Sequence, residues 1–134
     1  MQEKYIELII KEAKKASREG EVPIGAIIVK NNKIMAKAHN KVEKRKNATM
    51  HAEIIAITKA CKKIKNWRLI DCEMYVTLEP CNMCMNAIEL SRIKKVYYLI
   101  SKTKNIKYDE SKYVKINNEN SSLELIQDFF RKKR

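Results

Sequence analysis

The chain has 134 residues, 45% of them apolar, which suffices for one compact domain with a buried core and is too few for two. Its 29 Lys and Arg against 16 Asp and Glu leave a net charge of +13; this favours a polyanionic partner such as nucleic acid or an anionic membrane surface, although an AT-rich genome also enriches Lys, Asn and Ile. With two glycines, Gly20 and Gly25, the three-glycine dinucleotide fingerprint is excluded. A phosphate-binding loop is excluded as well, because Ala26 and Ile27 follow where Lys and Ser or Thr are required.

In chain order, Ile6, Ile9, Ile10, Ala13 and Ala16 recur at helical spacing and predict an amphipathic helix closed near Gly20. The apolar run Ile24 to Val29 predicts a buried strand, Asn31-Asn32 a turn, and Lys33 to Ala38 the antiparallel partner. Residues 41–50 are polar and basic and read as a loop. From His51 to about Lys65 a second helix is predicted, with Ile54, Ile57, Cys61 and Ile64 on one face. Glu73 to Thr77 reads as a strand. Pro80 is placed as the first residue of a third helix reaching about Arg92. Val96 to Ile100 is a strand, 101–112 is irregular, and Tyr113 to Ile116 is a short edge strand. Leu123, Ile126, Phe129 and Phe130 mark a C-terminal helix.

Strands that alternate with helices late in the chain imply parallel pairing, with helices on both faces of one sheet. The fold class is therefore α/β, and residues 1–134 are read as a single domain. No apolar run approaches the roughly 18–20 residues that cross a bilayer. Met1 to Lys4 lacks the apolar block of a signal peptide, so no membrane and a cytoplasmic location are expected. In a reducing compartment Cys61, Cys72, Cys81 and Cys84 are core residues, metal ligands or nucleophiles rather than disulfides.

Two segments carry chemistry: His51-Ala52-Glu53 and Pro80-Cys81-Asn82-Met83-Cys84. Each stands at a predicted helix start. Cys81 and Cys84, three apart, share a helix face, and the positive end of a helix favours thiolates. An imidazole and two thiolates suit zinc, and three protein ligands leave the open fourth position of a catalytic site. Zinc lowers the pKa of bound water to about 7, and Glu53 is placed to move the proton. A closed structural site would instead recruit Cys61 or Cys72, although both read as small core residues. Asn40 reads as a turn residue, His39 as a surface residue and Trp67 as core or interface. Phe129 and Phe130 read equally as core aromatics or as a stacking surface for RNA bases.

His-x-Glu followed by Pro-Cys-x-x-Cys is the signature of the zinc nucleobase deaminases. Further segments resemble the bacterial tRNA-specific adenosine deaminase family: Glu21 to Ala26, His39-Asn40, Trp67-Arg68-Leu69, Tyr75 to Cys81, Ser91-Arg92-Ile93 and Asp128 to Arg131. The resemblance covers nearly the whole chain. It implies a three-layer α/β/α cytidine-deaminase-like fold with a mixed sheet of about five strands. It implies hydrolytic deamination of adenosine to inosine at the wobble position of a tRNA anticodon, a zinc-bound hydroxide attacking C6 of the flipped adenine. The free-base or nucleotide deaminases of guanine, cytosine or deoxycytidylate are the alternative, since they share the zinc core. One Zn2+ per subunit is implied, held by His51, Cys81 and Cys84. Glu53 is then the proton shuttle and Asn40 the partner of the base. Phe129, Arg131, Lys132 and Lys133 are candidate RNA contacts, the anticodon stem-loop is the implied partner, and a homodimer is the implied assembly. One stretch departs from the family: counted without gaps from Cys84, Lys102 falls where relatives usually have an Asp, within Ser101 to Ile106, and after a gap Asp109 takes that place instead.

Overall fold

Alternation along β1 (Gly25–Lys30) feeds two cores from one strand. Ala26 and Ile28 point into one, Ile27 and Val29 into the other. Each fully buried Ile of this kind contributes about 1.5–3 kcal/mol relative to an exposed one. The computed structural model describes residues 2–102, 111–117 and 121–132. Around β1 lie β2 (Lys33–His39), β3 (Cys72–Leu78), β4 (Lys95–Ile100) and β5 (Tyr113–Lys115), in the sheet order β2-β1-β3-β4-β5. The first three strands pair antiparallel; β3, β4 and β5 run parallel. The sheet is mixed, as the alternation of late strands and helices required.

Helices cover both faces. On one, α1 (Gln2–Arg18) and α5 (Ser121–Lys132) pack through Tyr5, Ile6, Ile9, Ile10, Ala13 and Ile126 onto Ile27, Val29, Tyr75 and Leu99. On the other, α3 (Ala52–Ile64) and α4 (Asn82–Leu90) pack onto Ala26, Ile28, Met74, Val76 and Val96. This is the three-layer α/β/α arrangement. The face of α3 that seats on the sheet differs from the one expected. Ala52, Ile55, Ala56 and Ala60 are buried, whereas Ile54, Ile57, Cys61 and Ile64 are only half-buried. Small residues take the deepest position because they let the helix axis approach the strands, and the larger side chains flank the contact.

Three further expectations are corrected. Residues 41–50 contain a one-turn helix, α2 (Val42–Arg45). Its N-terminus is held from a distance: the buried Glu21 carboxylate accepts the backbone N–H groups of Glu43 at 3.0 Å and Lys44 at 2.8 Å. Pro80 lies outside α4, where Cys81 takes the N-cap position. His39 is buried, with Nδ1 3.2 Å from Glu12 Oε1 and Nε2 3.0 Å from Glu19 Oε1. This pair of contacts ties Glu12 of α1, and Glu19 just beyond it, to the end of β2. Burial alone raises the pKa of Glu12, and bonds from Lys15 and His39 outweigh it to leave the carboxyl below its ordinary value.

Turn chemistry reflects the shortage of glycine. Gly20 takes φ +78° just beyond α1, as a helix-ending glycine should. Other left-handed positions fall to Asn31 and Asn32 in the β1–β2 hairpin, and to Lys46, Lys65, Asp71 and Arg92. Two consecutive left-handed residues are what a two-residue hairpin of matching twist requires. Among the described residues, no helix is long and apolar enough to cross a membrane.

Gly25 has a different task. A Cβ there would collide with the Ile9 carbonyl oxygen and stand 2.7 Å from the Ala13 nitrogen, so α1 rests directly on the β1 backbone. Gly25→Ala is expected to lower stability by about 1–3 kcal/mol, the range for overpacking. A reduced urea midpoint with unchanged slope would show it; an unaltered midpoint would mean that α1 is not seated on this backbone.

Candidate metal centre and base-binding cleft

Three ligand-bearing side chains converge where two helices begin. His51 is the N-cap of α3 and Cys81 the N-cap of α4, both with extended backbone. Standing outside the helical turn frees their side chains from helical spacing. That resolves how His51 and Glu53, two apart, serve one site. His51 Nδ1 lies 3.6 Å from Cys81 Sγ and 3.5 Å from Cys84 Sγ, and all three ligand atoms lie within 4.8 Å of one another. Nitrogen and sulfur ligands held tetrahedrally at zinc distances stand about 3.6 Å apart. The donor types and their spacing therefore fit zinc. Among the described residues, this is the one group of three or more such side chains placed to share an ion. Cys61 contacts the Trp67 carbonyl instead, and Cys72 is buried in the core. Neither supplies a fourth ligand, which separates this set from a closed structural site.

The thiols behave as an unequal pair. A hydrogen bond from Cys84 holds the Cys81 thiol well below the usual range, against the opposing effect of burial. The same bond, with burial, pushes Cys84 up. Burial pushes the thiols of Cys61 and Cys72 up, as suits inert core cysteines.

Glu53 sits in the first turn of α3 and is 2% exposed. Its Oε1 has no hydrogen-bond partner, which is rare for a buried carboxylate oxygen and points to a group that binds there. Desolvation raises its pKa to about 7, only partly opposed by its own backbone N–H and by the charges of His51 and Lys102. Proton transfer is most effective from a group poised near the working pH.

Asn40 is buried, and its Oδ1 accepts the Ala52 backbone N–H at 2.7 Å. It therefore caps α3 from the end of β2, a task normally given to the residue preceding the helix. His51 holds that place and is committed to the ligand set. Asn40, His51, Val22, Glu21, Val42 and Phe129 line one cleft of about 560 Å³. Phe129 is half-buried, packed edge-on against Phe130 at 5.5 Å between centroids. Arg131 and Lys132 belong to α5, but their side chains, and Lys133 entirely, lie outside the described residues.

This site can be compared with known proteins. Residues 1–134 match the profile of the MafB19-like deaminases. The chain belongs to that deaminase family. It is 52% identical over 96 residues to the tRNA-specific adenosine deaminase of Aquifex aeolicus, covering 72% of this chain and 64% of that one. The matched stretch thus spans less than two thirds of that relative. To the tRNA-specific adenosine deaminase of Rickettsia bellii it is 43% identical over 139 residues, covering 92% and 95% of the two chains. A structure from studies of A-to-I editing by tRNA:A34 deaminases superposes with TM-score 0.73 at 40% identity, over 75% of this chain and 72% of that one. A guanine deaminase from Bacillus subtilis superposes with the same TM-score of 0.73 at 28% identity, over 100% and 95%. The chain is thereby joined to a deaminase family, and its cytidine-deaminase-like fold to solved structures.

Purified deaminase is expected to carry one zinc ion per chain by elemental analysis. Cys84→Ser and His51→Ala should drop that content severalfold, and Asn40→Ala should retain it. Full zinc content in both ligand variants would overturn the assignment.

Proposed function

We propose that this chain is a cytoplasmic hydrolytic deaminase that converts adenosine to inosine at the wobble position of a tRNA anticodon. The observation that carries the reading is the triad of His51, Cys81 and Cys84 beside a buried carboxyl with an orphaned oxygen. The substrate is drawn from the named relatives, several of which this chain matches over nearly its whole length. The net charge of +13 suits a polyanionic partner.

A zinc ion held by His51, Cys81 and Cys84 supplies Lewis acidity that brings water toward ionisation near pH 7. The remaining work falls to the chain. Glu53, with its pKa near 7, takes a proton from the attacking water and delivers it to the purine ring, then takes the second proton from the added hydroxyl and delivers it to the departing amine. Burial keeps bulk solvent from competing for that proton. Asn40, fixed through Oδ1 and lining the cleft, has amide N–H groups that would serve as donors to the base. Phe129 on the cleft wall offers a stacking face, and the basic residues at the C-terminal end of α5 offer phosphate contacts.

Incubation of the zinc-loaded chain with an anticodon stem-loop, followed by nucleoside analysis for inosine, tests the reading. Glu53→Ala should keep its zinc and lose at least about 10²–10⁴-fold in turnover. Deamination of free guanine or cytosine with none of the stem-loop would overturn the RNA substrate. Unimpaired Glu53→Ala would overturn the proton shuttle.

A homodimer is assigned to the exposed face of α4. Met83, Ala87 and Leu90 fall on one side of the helix at i, i+4 and i+7, and Leu90 is 69% exposed. Trp67 and Ile70 are also exposed, and the Arg92 guanidinium lies 5.6 Å from the Trp67 ring. An exposed apolar helix face of this kind suits a self-complementary contact. Leu90→Glu is expected to shift the sedimentation mass from dimer to monomer with zinc retained. A wild-type chain already monomeric at micromolar concentration would refute the assembly.

A further inference from the structure

The parallel strands β3 and β4 end side by side, and the segments that leave them meet at the metal centre. Beyond the paired Leu78 and Ile100, the Glu79 backbone N–H donates to the Ile100 carbonyl at 2.9 Å. The buried Glu79 carboxylate then accepts the Lys102 backbone N–H at 2.9 Å. Glu79 is followed by Pro80 and the ligand Cys81. Lys102 is thus pinned beside the first turn of α4 by the residue that introduces it. Its position is set by the sheet and a buried carboxylate rather than by a wandering loop.

Two further observations give that position meaning. The Lys102 charge is felt at once by Glu53 on α3 and by Cys81 and Cys84 at the start of α4. Its ammonium therefore stands within electrostatic reach of the chemistry from the one edge these groups share. That edge is the carboxyl end of parallel strands, where open α/β sheets receive their ligands. Lys102 is also half-exposed, and among the described residues no carboxylate forms an ion pair with it. A half-exposed cation whose backbone is anchored beside the ligand set is complementary to an anion that the base brings with it.

We infer that Lys102 binds a phosphate of the nucleotide whose base enters the site, and so favours a nucleotide within a strand over a free base. This rests on the RNA reading above, and it makes Lys102 a specificity-determining residue rather than a catalytic one. A flipped nucleotide keeps its phosphates outside the cavity that takes its base. A lysine on its flexible four-carbon stem serves as a point charge for such a group. The contact adds affinity for a strand and nothing for free guanine or cytosine, which carry no phosphate.

The test measures binding and turnover together. Stem-loop affinity is followed by fluorescence anisotropy from about 50 to 200 mM salt in the Glu53→Ala background, so that substrate survives the titration. Removing one single-strand phosphate contact lowers the slope of log affinity against log salt by about 0.7. Adding Lys102→Gln should produce that drop, and Lys102→Arg should restore the slope. Lys33→Gln, at the hairpin end opposite the site, should leave it unchanged. In the active enzyme, Lys102→Gln should raise the stem-loop KM severalfold with kcat nearly constant. An unchanged slope, or a fall in kcat at constant KM, overturns the phosphate contact while leaving the RNA substrate standing. Failure of the wild-type chain to bind or edit any stem-loop while it deaminates free bases overturns the RNA reading, and the role of Lys102 falls with it.

Discussion

An imidazole nitrogen and two sulfurs 3.5–3.6 Å apart must be held together before anything else in this molecule has a use. Polar atoms of this kind do not gather in a protein interior unless the backbone forces them to. Here the force comes from packing. Helices α3 and α4 lie on the same face of the sheet, and the alanines of α3 bring it close to the strands. Both helices direct their N-termini toward the same point. The positive ends of two helix dipoles then favour anionic ligands, and Glu53 is carried into the dry side of the same turn. The proposed metal ligation, proton transfer and base placement would all descend from that convergence.

A layer of buried polar residues holds the convergence in place. Asn40 satisfies the first N–H of α3 because His51 is otherwise engaged. Glu21 fixes α2 on the wall of the cleft. His39, adjacent to Asn40, is clamped between Glu12 and Glu19. Each is a polar group whose burial is tolerated because it is hydrogen-bonded to another element. Together they tie α1, β2, α2 and α3 into one frame around the cleft, so that a bound base meets a wall already formed.

How much of this is legible in the residues depends on the range over which their physics acts. Helical spacing from Ile6 to Ala16 and the Asn31-Asn32 turn are local signals, and both elements are where the pattern places them. The meeting of His51, Cys81 and Cys84 is legible because few side-chain types suit zinc and all three stand at predicted helix starts. Partners distant in sequence are hidden. The burial of His39 depends on carboxylates 20 and 27 residues away. α2 depends on a cap 22 residues before it. The buried face of α3 escapes the pattern because hydrophobicity weighs Ile above Ala, whereas the depth of contact with a sheet rewards small volume. Asn40 resembles a turn residue because nothing in its neighbours shows that the helix it caps starts twelve residues later.

Six described residues other than glycine hold left-handed backbone in a chain with two glycines. Such a conformation costs an ordinary side chain about 1 kcal/mol, and asparagine less. Lys65 and Asp71 carry that strain at the far ends of their elements, beyond the reach of the ligand set. The fold therefore holds a reserve of thermal hardiness in its surface bends. It can be drawn on by relaxing those bends alone, leaving the reactive pocket and its affinity for substrate as they are.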